Sequence, residues 1–112
     1  MDIDIFCLDN TEYAEFDAVN RGYRGDIYVR INEYYYNLNV YDIVRLQQDF
    51  ELELEEYGVY TPDPNLVLVK EVNNTNIKEI VNHLIKSGYF NEIQRVSSKT
   101  LKHLNLLKLE SK

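Results

Sequence analysis

Tryptophan is absent and cysteine occurs once, at Cys7. A single cysteine excludes an internal disulfide and a cysteine-built zinc site. It follows Ile3, Ile5 and Phe6, so a buried, unreactive thiol is expected. No apolar run approaches the length of a membrane span. The Met-Asp-Ile-Asp-Ile-Phe start has no basic region ahead of an apolar run, so no signal peptide and a cytoplasmic protein are expected. Missing too are a Gly-rich phosphate loop, a nucleophile elbow and an HExxH motif. His83 and His103 stand without a nucleophile or ligand partner in sequence and are expected at the surface. Asp2, Asp4 and Asp9 suggest a carboxylate cluster, but no calcium loop or histidine accompanies them, so neither a metal nor a cofactor is expected. These absences point to a binding protein rather than an enzyme.

Basic residues are scarce where most of the chain lies. Residues 1–72 hold 16 acidic and 5 basic side chains, and residues 73–112 hold 3 and 7, for a net charge of −7. Net negative charge argues against a nucleic-acid partner, whose affinity comes largely from Lys and Arg on phosphates. It suits a basic protein partner. At 112 residues the chain reads as one domain, 1–112. Hydrophobic residues make up 45% of it, so a packed core is expected.

The patterning suggests α+β: a small mixed sheet of about four strands, two covering helices and a candidate third at the C-terminus. Residues 2–8 and 26–31 alternate as strands, and Asn32-Glu33 is placed to turn the second into Tyr34–Leu38. Tyr13, Phe16 and Val19 are spaced by three, which permits a short helix before Gly22. Asn39 is a plausible N-cap for a helix to about Tyr57, with Ile43, Leu46, Phe50, Leu54 and Tyr57 on one face and Gly58 as its stop. Phe50–Glu55 also alternates like a strand, but good helix formers and the lack of β-branched residues there favour helix. Thr61-Pro-Asp-Pro-Asn is a loop. The apolar run Leu66–Val72 suggests a central strand buried on both faces. Ile77, Ile80, Val81, Leu84 and Ile85 mark the clearest amphipathic helix, which Asn73–Asn76 caps and Gly88 stops, with Tyr89-Phe90 folding back on the core. Ser97 or Ser98 would open a last helix to about Leu109.

Two features invite a function. On the 39–57 helix, helical spacing sets Tyr41, Arg45, Gln48, Asp49, Leu52, Glu55 and Glu56 away from the apolar stripe. Glu53, Glu55 and Glu56 crowd the C-terminal end, where the helix dipole is already negative. The lysines of the C-terminal tail are the internal alternative for covering this face. The second feature is ten tyrosines, a residue enriched at interfaces. Tyr34-Tyr35-Tyr36 cannot all point inward on a strand. Tyr57 and Tyr60 flank Gly58. The candidate partner-binding set is Tyr35, Asp49, Glu53, Glu55, Glu56, Tyr57 and Tyr60.

Arg45-Leu46-x-x-Asp49-Phe50 on a helix, a Pro-containing loop, the Asn65-Leu-Val-Leu-Val strand and a helix ending Gly88-Tyr89-Phe90 give a chain that resembles bacterial immunity proteins of toxin–immunity pairs. The resemblance covers roughly residues 40–90. It implies a non-enzymatic inhibitor that binds a cognate, basic toxin, often a nuclease, as a monomer or homodimer. No family motif matches position by position, so no residue role is carried over. Two other readings remain at this point. One is an adaptor domain, homodimeric through the tyrosine-rich edge. The other is an enzyme with a dispersed carboxylate site in a deep pocket.

Overall fold

Alternation of Ile27, Val29 and Ile31 with Tyr28 and Arg30 builds the strand at the middle of the sheet. In the computed structural model, which describes residues 2–109, the strands are β1 (Ile3–Cys7), β2 (Tyr23–Ile31), β3 (Tyr34–Tyr41), β4 (Leu66–Leu68) and β5 (Leu107–Lys108). Their order is β4-β3-β2-β1-β5, one strand more than the pattern suggested. The hairpin is present: β2 and β3 pair antiparallel, and Asn32 turns the chain with φ 56°. Only β3 and β4 run parallel. The chain between them holds helix α2 (Ile43–Tyr57), as a parallel pair requires a crossover.

Register assigns the two faces. Ile3, Ile5 and Cys7 share a face with Ile31, Val29, Ile27, Tyr36, Leu38, Val40 and Val67. This face is buried by helix α3 (Asn74–Lys86), through Ile77, Val81 and Leu84, and by Ala18 of helix α1 (Glu12–Arg21). Cys7 is buried within it, as expected. Asn73, rather than Asn76, caps α3 by accepting from the Asn76 N–H at 2.8 Å. Gly88 follows at φ 77° and a single 3-10 turn, Tyr89–Asn91, returns Phe90 to the core against Tyr36.

Two expectations are corrected. Leu66–Val72 is not a central strand. β4 spans three residues at the sheet edge, with Leu68 exposed, and the run looks apolar because Val67 and Val72 enter the core from strand and loop. The tail helix is short: Ser97 caps α4 (Ser98–Leu101), and the leucines beyond it form β5 on the free edge of β1. The short helix that the spacing of Tyr13, Phe16 and Val19 permits is present as α1, with Tyr13 and Phe16 exposed and Ala18 buried.

Lys108 of β5 reaches Asp4 at 2.7 Å, and Arg30 pairs with the same carboxylate. Lys108 first, then Arg30, hold the Asp4 carboxyl below its ordinary value of 3.8, against partial desolvation. A depressed folded pKa stabilises above the unfolded pKa and is lost as pH falls through the folded value. Wild type should therefore be more stable than Asp4→Asn above about pH 4, with the difference vanishing in stronger acid; urea midpoints across that range check this. Ile77→Ala should cost about 3 kcal/mol, whereas Leu52→Ala, on α2, should change stability by less than about 0.5 kcal/mol. Chemical denaturation distinguishes the two.

Candidate functional site

Helix α2 starts later than the pattern suggested. Asn39 and Val40 are still paired to β4, so the cap falls to Asp42, which accepts from the Arg45 N–H at 2.8 Å. Gly58 ends the helix at φ 72°, as expected. None of the fifteen residues between is buried. The helix is mounted at its base. Arg45 lies 5.4 Å from the Tyr23 ring centre, donates to the Arg21 carbonyl at 3.2 Å and pairs with Asp49 at 3.1 Å. The Tyr23 and Tyr41 rings meet at a tilt of 57° with centres 4.8 Å apart, and the Tyr41 hydroxyl donates to Asp63 at 2.6 Å. The Pro-containing loop runs back along the helix, with Tyr60 edge-on to Phe50 at 5.6 Å. Helix and loop form an arm.

The arm's orientation corrects the sequence reading. The supposed core stripe is open: Ile43 is 59% exposed and Tyr57 68%. The residues turned toward the body are Arg45, Leu46, Asp49 and Glu53, all half-buried. Asp49 and Glu53 are thus on the inner side of α2, not among the outermost acids. Tyr41, also set on the outer face, is a buried residue of β3. Periodicity gave the stripe but not its partner, because Arg45 finds its aromatic and carbonyl partners on the sheet side. Glu55, Glu56 and Tyr57 are exposed near the arm's end, and Tyr60 is half-buried against Phe50. Tyr35 is not brought to the arm. It is six residues before Tyr41, about 20 Å along the strand, and packs on Phe6 at 6.1 Å.

The two internal explanations for this surface do not hold among the described residues. The tail does not cover it: Leu52 is 63% exposed, and Lys108 is paired at the opposite side of the sheet. The 50–56 segment is helix, not a sheet edge. The outer edge of the tyrosine-rich strand is partly occupied. Beyond β4, the Tyr35 carbonyl accepts from the Val96 N–H at 2.7 Å and the Asn37 carbonyl from the Asn65 side chain at 3.0 Å.

Sign and burial set the electrostatics. From Ile43 to Tyr57 there are five carboxylates and one cation, Arg45. Burial, then Asp49, Asp63 and Glu53, raises the Tyr60 pKa. Burial and the Asp63 hydrogen bond raise that of Tyr41 strongly. Elsewhere, a cleft of about 370 Å3 between α1 and β2 is lined by acids and arginines. Its carboxylates are already engaged: Asp17 with Arg21 at 3.0 Å, Asp26 with buried Arg24 at 2.9 Å, and Asp9 with Thr11. Among the described residues no group of three His, Cys, Asp or Glu could hold a metal ion, and no helix is long and apolar enough to cross a membrane. His83 and His103 are exposed. No family model, curated protein or solved structure matches the chain.

The sequence reading missed the apolar part of the surface. Ile43, Leu46, Phe50, Pro62 and Leu66, with Gln47 and Tyr60, line a cleft between helix and returning loop. The signal was present as the helix stripe, but a stripe does not say whether a core faces it. Tyr41→Phe should loosen the arm at a cost of about 1.5–3 kcal/mol, the range for a bond to a charged acceptor. In a spectrophotometric titration, the Tyr41→Phe variant should lose the last tyrosine to ionise.

Proposed function

We propose that this chain is an immunity-type protein, a non-enzymatic inhibitor that docks a basic toxin on its α2 arm. The observation that carries this reading is a fifteen-residue amphipathic helix with no buried residue, held at its base and acidic from Asp49 to Glu56. A helix that serves only the fold buries its apolar stripe, because that burial supplies most of its stability. Here the core closes without it, so the stripe remains available for burial in a complex.

Charge selects the partner. Carboxylates around an apolar strip steer a cationic surface into place and speed encounter. A second copy of the chain would bring five more carboxylates against these and is disfavoured. A nuclease suits the site, because surfaces that grip phosphates are rich in Lys and Arg. Occluding such a surface inhibits without chemistry. The exposed Tyr57 and the half-buried Tyr60 supply contact area at small entropic cost. The ring contact and hydrogen bonds at the base hold the arm in place before binding, which reduces the ordering cost of association.

Fragments of the host genome that arrest growth of a heterologous bacterium provide the test. Co-expression of this chain should relieve arrest by one of them, whose product should be basic and form a stable complex with it. The triple variant Glu53→Lys, Glu56→Lys, Tyr57→Ala should lose protection and weaken binding by about 100-fold or more. Undiminished protection by that folded variant would exclude the arm as the docking surface.

A further inference from the structure

The arm's cleft narrows the chemistry of what it binds. It has a volume of about 360 Å3, and its walls are Ile43, Leu46, Gln47, Phe50, Tyr60, Pro62 and Leu66. Its lining is almost wholly apolar, yet its surroundings are acidic. Asp49 and Glu53, on consecutive turns of α2, each follow a lining residue, Leu46 and Phe50, by three positions, and Asp63 is next to Pro62. Asp49 is shared with Arg45 and Asp63 accepts from Tyr41, while Glu53 has no ion pair among the described residues.

We infer that this cleft receives an arginine side chain presented by the partner protein. The inference rests on the docking reading above and assigns the anchor within it. Charge complementarity decides the occupant. An aliphatic side chain would fill the cleft but leave Glu53 without a cation. An anion would be repelled. Arginine meets both demands: its methylene stem lies on Leu46, Pro62 and Leu66, and its planar cation reaches Glu53 and Asp49. The Phe50 and Tyr60 rings offer aromatic surface on which a guanidinium stacks, and it sheds water more readily than an ammonium. A free second copy is disfavoured by its own acidic arm.

The test needs no toxin. The 15N-labelled chain is titrated with pentylguanidinium, pentylammonium, pentanol and guanidinium ion, following amide shifts by NMR. Pentylguanidinium should move the Leu46, Phe50, Tyr60 and Leu66 resonances. It should bind at least about threefold more tightly than pentanol and about tenfold more tightly than guanidinium ion without a stem. The pair Asp49→Asn, Glu53→Gln should reduce its binding to that of pentanol, and Phe50→Ala should weaken it as well, with the core Ile77 and Val81 signals unchanged to show that each variant is folded. Pentanol or pentylammonium binding as tightly as pentylguanidinium, or shifts lying away from the cleft, would overturn the assignment. Failure here leaves the inhibitor reading standing, because that reading falls only on the protection test.

Discussion

One apolar layer, between a single face of the sheet and helix α3, carries the fold. Ile27, Val29, Leu38 and Val40 meet Ile77 and Val81 with no exposure to solvent. At about 25 cal/mol for each Å2 of apolar surface removed from water, burial of this kind is the main favourable term in a small domain. Buried Arg24 fastens the layer's end by bonding Asn74 at the start of α3 and the Asp9 carbonyl after β1. This unit closes on one side of the sheet only. The other side carries Phe6, Tyr28, Arg30 and Tyr35, half-buried, and the base of the α2 arm.

The crossover between two parallel strands therefore has a second role open to it. Topology demands a connection between β3 and β4, but does not demand that the connection be acidic or apolar on its free side. Carboxylates at the C-terminal end of α2 oppose the helix dipole and crowd one another, so they weaken the helix slightly in isolation. Sequence that costs local stability and adds no buried residue to the core is what the proposed docking role would call for. The base contacts, Arg45 on Tyr23 and Tyr41 on Asp63, keep this costly element in one orientation.

Much of the architecture was legible in the residues. The β2–β3 alternation, the α3 stripe and the Gly58 and Gly88 stops follow from local chemistry, and each is where periodicity and capping put it. What was illegible depended on partners. Leu66–Val72 reads as a buried strand because apolar content does not distinguish a sheet centre from an edge followed by a buried loop. The tail leucines formed no clean stripe, and they pair with β1 instead of extending α4. The acidic helix was recognised, but its orientation was not. Arg45 and Asp49 turn inward because Tyr23 and the Arg21 carbonyl, over twenty residues earlier, complete their contacts. Of the seven candidate binding residues, Tyr35 falls elsewhere, and the apolar cleft went unseen because nothing local says that a stripe is uncovered.

The central claim is that α2 stands outside the cooperative core. Native-state amide exchange of the free chain under increasing urea addresses it directly. Val81 and Leu84 amides in α3 should exchange only through global unfolding, with a steep urea dependence. Amides from Phe50 to Tyr57 should exchange through local opening at much lower free energy, with almost none. Equal protection and equal urea dependence in the two helices would contradict the account.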